Sequence, residues 1–357
     1  MSRRALLVAL LLLPNLGIAQ APSISFGGFV DTYLAWDAGR PRNIDRAYTT
    51  QAARHAEFNV NLAYLDAILT GDRVRGRLAL QAGTSVEANY LGEPTTGRIS
   101  GGDLSRHIQE AVVGVRMSQK AWIDAGIFLS HTGNESWISR DNPTYTRSLV
   151  ADFSPYYESG AKLTWQVRPD FTALFTVVNG WQIVSENNAD KSVGARLDWS
   201  VSPHVTVSYY NLIGNEQPDS VAARMRLFNG FAFKWSTDEY TVMARIDGGR
   251  QDTDGPKASS WWGGSLIGRV QVTEHVAFSA RGEMYEDPNQ VLVVTNGPGF
   301  RAIGGSFGLD FEPEQGVAWR TEVRGLRGRD AYFPDRGSST GFSTVNTVIV
   351  TSLSVTF

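Results

Sequence analysis

The most constraining feature of this chain is an alternation of apolar and polar side chains with a period of two, repeated along nearly its whole length. In residues 57–64 the large apolar side chains take the even positions. In residues 224–235, Phe231 and Phe233 share one face while Lys234 takes the other. Because successive side chains of a strand point to opposite faces, each such segment predicts a β-strand with one apolar and one polar face.

The connections between these strands alternate in length. Tight turns are predicted at 70–72, 118–120, 168–170, 202–204, 237–239, 273–275 and 312–314. Longer polar connections are predicted at 38–56, 91–106, 132–155, 183–190, 215–222, 251–258, 287–299 and 328–341. About sixteen antiparallel strands result, with fourteen or eighteen as alternatives, and short turns on one side with long loops on the other are typical of an outer-membrane barrel.

The two ends of the chain fit export and closure of such a barrel. Arg3 and Arg4 precede a short apolar run and small residues, which predicts a signal peptide over 1–19, with cleavage after Ala21 as the alternative. The run is too short to span a bilayer as a helix. A single barrel domain is expected over 22–357. Its last strand, ending in Phe357, would pair with the first strand and remove both sheet edges.

Composition agrees with a barrel and excludes several other classes of protein. There is no cysteine, which excludes a disulfide framework and a cysteine nucleophile, and the net charge of −3 shows no basic field for nucleic acid. A mean hydropathy of −0.20 is typical of a soluble protein. A membrane barrel can have the same value, because only alternate residues of its strands face lipid. A secreted β-sandwich is the alternative, but sixteen apolar strand faces exceed what one sandwich buries.

Aromatic residues near the predicted strand ends favour girdles at the two membrane interfaces. These residues are Tyr33, Trp36, Tyr156, Tyr157, Trp165, Trp199, Tyr209, Trp235, Tyr240, Trp261, Trp262 and Trp319.

Several segments also resemble one family of bacterial proteins. The matching stretches are 57–83, 108–111, 122–136, 151–165, 178–182 and 213–216. Together they are similar to the OmpL-like β-barrel porin-2 family of Gram-negative outer membranes. One departure is Leu129, where the family pattern favours proline. The resemblance implies an outer-membrane location and a porin role, and it supplies no particular solute. The terminal strand ending in Phe357 also resembles the signal read by the outer-membrane insertion machinery.

If the alternation holds, charged side chains of the polar faces point into the lumen, because charge facing lipid at mid-depth costs about 2–4 kcal/mol. The expected pore-lining residues are Arg75, Arg77, Glu110, Arg116, Glu158, Lys162, Arg196, Arg224, Arg226, Arg245, Arg281, Glu283, Arg320, Glu322 and Arg324. Their simplest role is mutual neutralisation across neighbouring strands. An excess of arginine over acids would in addition favour anionic solutes.

The long connection at 132–155 is the best candidate for a loop that folds into the lumen and narrows it. Its charged residues are Glu135, Arg140, Asp141, Arg147 and Asp152. A solvated external loop is the alternative. Removal of residues 137–148 distinguishes the two, since only an infolded loop limits conductance.

The sequence therefore predicts a porin that passes small hydrophilic solutes by diffusion, with no enzyme activity, no metal and no cofactor. A plugged or structural barrel is an alternative, and an outer-membrane hydrolase using Ser130 and His131 is a weaker one, since no nucleophile-elbow motif is present. Outer-membrane lipid is an expected partner. A homotrimer is plausible by analogy with sixteen-stranded porins.

Overall fold

A computed structural model describes residues 21–95, 102–255 and 257–357. The predicted signal peptide at 1–19 lies outside these residues. Within them, sixteen strands close into one antiparallel barrel, as predicted. The strands are β1 (Ser23–Asp37), β2 (Phe58–Thr70), β3 (Val74–Ala82), β4 (Ile108–Ser118), β5 (Ala121–Leu129), β6 (Tyr157–Arg168), β7 (Phe171–Val178), β8 (Ser192–Ser202), β9 (Val205–Asn215), β10 (Met225–Ser236), β11 (Tyr240–Gln251), β12 (Ser259–Thr273), β13 (Val276–Asp287), β14 (Phe300–Glu314), β15 (Val317–Gly328) and β18 (Val345–Thr356).

Short elements lie in the long loops. Two short strands, β16 (Phe333–Pro334) and β17 (Phe342–Ser343), form a small hairpin within the loop that precedes β18. The helical segments are α1 (Thr84–Asn89), α2 (Gly102–Ser105), a 3₁₀ turn (Ser139–Asp141) and α3 (Leu149–Asp152). No helix among the described residues is long and apolar enough to cross a membrane.

The last strand closes the barrel on the first, as the sequence predicts. Phe29 lies opposite Thr356, and the pairing continues without a break to the other end of β1. The backbone N–H of Gly28 donates to the carbonyl oxygen of Phe357 at 2.8 Å, and the Phe357 N–H donates back at 3.1 Å. A Cβ on Gly28 would lie 2.5 Å from the Phe357 ring, so glycine is what allows this close approach.

The connections alternate between short and long, with one correction to the predicted turns. The last short turn lies at 315–316 and not at 312–314, because β14 continues through Glu314. Gly316 supplies the positive φ of +85° that this turn needs. Pro313, which suggested the turn, lies where the β14–β15 register shifts, and a bulge tolerates the missing N–H donor of proline.

The outward face of the barrel is apolar and the inward face is polar, as the alternation predicts. Six predicted girdle residues, Trp36, Trp165, Trp199, Tyr240, Trp262 and Trp319, are exposed on the outside. Four others are buried instead: Tyr33, Trp261, Tyr156 and Tyr157. Tyr33 and Trp261 point inward because they share the strand face that carries Asp31 and Ser265, respectively. Position near a strand end therefore did not distinguish an interfacial aromatic residue from an internal one.

Candidate functional site

The predicted pore-lining residues lie on the inward face of the barrel wall, with one exception. Strand register places the side chains of Arg75, Arg77, Glu110, Arg116, Glu158, Lys162, Arg196, Arg226, Arg245, Arg281, Glu283, Arg320, Glu322 and Arg324 on that face. Arg224 precedes β10 and pairs with Asp254 at the long-loop end, 2.6 Å apart. The register also adds inward acids that sequence reasoning missed: Asp31, Asp37, Asp66, Asp287 and Glu312.

These additional acids remove the overall excess of arginine that the sequence suggested. The alternation along β1 could have identified two of them, because Asp31 and Asp37 lie on the same strand face as the buried Phe29 and Tyr33. Charges of the two signs are now nearly balanced around the wall. The balance is local as well. Arg75 contacts Asp124 at 2.6 Å, and Arg77 contacts Asp66 and Glu110 on its two neighbouring strands.

A buried charge network occupies the wall formed by β13 to β15. Arg281 contacts Glu283 at 3.2 Å and Glu322 at 3.1 Å, and Arg324 contacts Glu283 at 2.8 Å. All four side chains are almost fully buried. Each charge therefore depends on its partners, because an isolated buried charge is costly.

The loop between β5 and β6, residues 130–156, lies inside the barrel and docks on this wall. We call it loop 3. Arg320 donates to the carbonyl oxygens of Ser139, Asn142 and Pro143 at 2.7–3.1 Å. Arg281 donates to the Thr144 hydroxyl at 3.0 Å and to the Thr146 carbonyl at 2.5 Å. The wall thus supplies guanidinium donors for carbonyl groups that have no strand partner.

The acids of the same wall accept from loop 3 in return. The backbone N–H of Thr146 donates to Glu322 at 2.6 Å, and that of Leu149 donates to Glu283 at 2.7 Å. Farther along the same wall, two strands beyond β15, the Ser139 hydroxyl donates to Asp31 of β1 at 2.8 Å. Loop 3 is therefore fastened to a continuous sector of the wall that runs from β13 to β1.

The five charged loop residues take different places. Arg140 and Asp141 form an exposed pair 3.4 Å apart and line a cavity of about 680 Å³ near the short-turn end. Glu135 and Arg147 are buried within the loop: Glu135 accepts from Ser148, and the Arg147 guanidinium lies 3.1 Å from the Tyr156 ring centre. Burial lowers the pKa of Arg147.

Asp152 lies at the opposite side of loop 3. It accepts hydrogen bonds from the Thr50 hydroxyl at 2.7 Å and the Tyr156 hydroxyl at 2.6 Å, and it lines a cavity of about 710 Å³ near the long-loop end. Burial raises the pKa of its carboxyl group, although Arg147 opposes the shift. Loop 3 therefore contributes side chains to a cavity at each end of the lumen.

Comparison with known proteins agrees with this architecture. The sequence profile of the family described as putative beta-barrel porin-2, OmpL-like, matches residues 23–357. The chain belongs to this family. Comparison with curated proteins found no match. The chain is an outer-membrane β-barrel of the porin type.

Several solved structures share the fold of this family member at low sequence identity. An anion-selective porin from Comamonas acidovorans is 12% identical, with 94% of this chain and 100% of that chain covered and a TM-score of 0.60. The trimer form of OmpT, an outer-membrane protein of Vibrio cholerae, is 11% identical, with 95% and 100% covered and a TM-score of 0.61. Salmonella typhi OmpF, solved with daunomycin, is 10% identical, with 94% and 97% covered and a TM-score of 0.57.

Ser130 and His131, the pair considered for a hydrolase, form hydrogen bonds that hold the loop in place. The Ser130 hydroxyl donates to the Glu158 carboxylate at 2.8 Å. The two ring nitrogens of His131 contact Glu158 at 2.7 Å and the Asn211 carbonyl oxygen at 2.8 Å. Neither nitrogen is thus directed at Ser130 to accept its proton, which a nucleophile and base would require. His131 instead ties the start of loop 3 to β6 and β9.

This histidine predicts a pH-dependent stability. Burial lowers the pKa of His131. The adjacent Glu158 carboxylate has the larger, opposite effect, so the pKa of His131 is raised above 6.5. The resulting stabilisation is complete below pH 6.5 and declines as the pH rises through the raised pKa. We expect His131→Gln to lower the unfolding temperature in detergent most at pH 6, and the difference from wild type to shrink toward pH 9.

The control for this measurement is His275→Gln, which changes an exposed histidine of a short turn. It should shift the unfolding temperature little at any pH. A difference between wild type and His131→Gln that stays constant from pH 6 to pH 9 would show that the His131 ring acts by packing alone.

Proposed function

We propose that this protein is a diffusion porin for small hydrophilic solutes. The observation that carries the proposal is a charged loop folded inside a closed barrel, with a cavity at each end. A sixteen-stranded barrel without such a loop has a lumen too wide to discriminate among small solutes. Loop 3 narrows the lumen, and Arg140 and Asp141 lie where solutes pass.

We further propose that anions pass more readily than cations. The basis is local, because Arg116, Lys162 and Lys234 face the short-turn half of the lumen and contact no carboxylate within 4 Å among the described residues. Acids of the same half each have an arginine partner: Asp66, Glu110, Asp124, Asp198, Asp310 and Glu312. Unpaired cations in a water-filled pore attract anions.

The triple variant Arg116→Gln/Lys162→Gln/Lys234→Gln tests this preference. We expect its reversal potential in a potassium chloride gradient to move toward that of a cation-selective channel, because three unpaired positive charges leave the lumen. Planar-bilayer recording of the purified protein measures the shift. The matched control is Arg40→Gln/Arg42→Gln/Lys191→Gln, which removes the same charge from exposed external loops. Clear cation selectivity of the wild type would contradict the proposal.

A sealed barrel is the second candidate, favoured by the dense packing of loop 3. Trp137, Tyr145 and Leu149 are nearly inaccessible, and the loop is bonded to both β1 and β15. Liposome swelling separates the two candidates. We expect vesicles containing the protein to swell in sugars, phosphate and small organic acids. Vesicles that do not swell, and bilayers without channels, would indicate a structural barrel.

We also propose that the protein is a homotrimer, as the solved trimer form of a protein with the same fold suggests. Cross-linking in intact outer membranes should yield a species of three chains. A monomer under the same conditions would contradict this part of the proposal without affecting the channel.

A further inference from the structure

The outer surface of the barrel carries charge in one sector. Away from the short-turn ends, the outward face of the described strands presents ionisable side chains at Arg250, Glu286, Arg301 and Arg327. All four lie at the long-loop ends of their strands, on β11, β13, β14 and β15. The rest of this face carries residues such as Phe26, Leu65, Val113 and Phe307.

Strand register makes the charged positions neighbours. Glu286 lies directly opposite both Trp262 on one side and Arg301 on the other. Arg327 lies opposite Ile303, two residues from Arg301, which places the two arginines as diagonal neighbours roughly 7–8 Å apart. Arg250 lies opposite Ser260, two residues from Trp262. We call this set, Arg250, Trp262, Glu286, Arg301 and Arg327, the basic patch.

The basic patch has a net positive charge and unused donors. The Arg301 Nε contacts Glu286 at 2.9 Å, and the Arg301 side chain is 56% exposed. Arg250 and Arg327 are exposed and form no ion pair within the part of the chain that the structure describes. Two guanidinium groups therefore face outward without an internal partner.

The depth of the patch in the membrane indicates what those groups meet. Arginine facing lipid costs about 2–4 kcal/mol at the bilayer midplane and about 0–1 kcal/mol near the interface. Trp262, 40% exposed, marks the interface, where tryptophan concentrates. Long loops of outer-membrane barrels are external, so the basic patch lies at the headgroups of the outer leaflet.

We propose that the basic patch binds the phosphate groups of a phosphorylated glycolipid in the outer leaflet. A guanidinium group offers a planar fork of N–H donors that matches phosphate oxygens, and such charge-assisted pairs are strong. The patch spans five neighbouring strands, roughly 19 Å at the usual strand spacing. It can therefore contact more than one phosphate of a single headgroup.

Binding of purified lipopolysaccharide to the detergent-solubilised protein tests the proposal. Native mass spectrometry should detect the complex with wild type and lose it with chemically dephosphorylated lipopolysaccharide. We expect Arg250→Gln/Arg301→Gln/Arg327→Gln to weaken binding about tenfold or more, since charge-assisted contacts are removed. Affinity for the wild type should also fall as salt is raised.

The charge-matched control is Arg40→Gln/Arg42→Gln/Lys191→Gln, which should bind lipopolysaccharide like wild type. The single variants R250Q and R327Q remove side chains with no internal ion pair, so they report on binding even if the triple variant folds poorly. Equal binding of wild type and these variants would overturn the proposal. So would a changed oligomeric state with unchanged binding, because the basic patch would then be a contact between copies of this chain.

Discussion

Replacing residues 137–148 with a short glycine–serine linker is expected to raise single-channel conductance by about twofold or more, because a sixteen-stranded barrel without its infolded loop encloses an open aqueous lumen. The replaced residues include Ser139, Asn142 and Pro143, whose carbonyl oxygens accept hydrogen bonds from Arg320. They also include Arg140, which lines the cavity near the short turns. Planar-bilayer recording in molar salt measures the change.

The barrel itself should survive this replacement. Its strand pairing does not pass through loop 3, and closure depends on β1 and β18. Arg281 keeps Glu283 and Glu322 as partners, and Arg320 keeps Asp310. Electrophoresis can verify the folded state, because a heated, unfolded sample of a barrel migrates more slowly than an unheated, folded one.

A matched control is the same linker in place of residues 336–340, an external tip beyond the β16–β17 hairpin. That change should leave conductance unaltered, because the tip is mostly exposed and lines neither of the two cavities at the ends of the lumen. Unchanged conductance after replacing 137–148 in a correctly folded barrel would show that loop 3 does not limit passage.

Much of this fold follows from the sequence because the period of a strand is local information. An outward Leu65 and an inward Asp66 are adjacent residues, and their alternation needs no knowledge of distant contacts. Strand number and closure follow from the alternation of short and long connections. The position of Phe357 beside Gly28 follows from closure, since the last strand must meet the first.

The arrangement of loop 3 could not be predicted in the same way. Thr146 contacts Arg281 and Glu322, which are 135 and 176 residues away in the sequence. No periodicity encodes such contacts. The sequence identified Glu135 and Arg147 only as charged residues of the loop predicted to narrow the lumen. In the structure both serve the internal packing of that loop. Alternation along a strand determines whether a side chain points into the barrel. Tertiary packing determines whether that side chain then contacts solute or another part of the protein.

Arg281→Ala is expected to destabilise the protein by about 3–5 kcal/mol, the usual cost of removing one partner from a buried charge network. The Arg281 and Glu283 side chains are fully buried, and Glu322 is nearly so. Without Arg281, Glu322 loses its guanidinium contact and the Thr146 carbonyl loses a donor. Denaturant unfolding in detergent, followed by tryptophan fluorescence, measures the free energy of unfolding.

Two further variants separate charge pairing from simple loss of a side chain. Arg168→Ala removes an exposed arginine that pairs with Asp170 at 3.1 Å, and a surface pair of this kind contributes about 0–1 kcal/mol. Arg281→Ala/Glu322→Gln removes the unpaired carboxylate as well, so it should recover part of the stability lost in Arg281→Ala. If Arg281→Ala is no more destabilising than Arg168→Ala, the buried network does not hold loop 3 to the wall. If the double variant recovers nothing, packing and not charge is what Arg281 supplies, because the uncompensated carboxylate would then carry no cost.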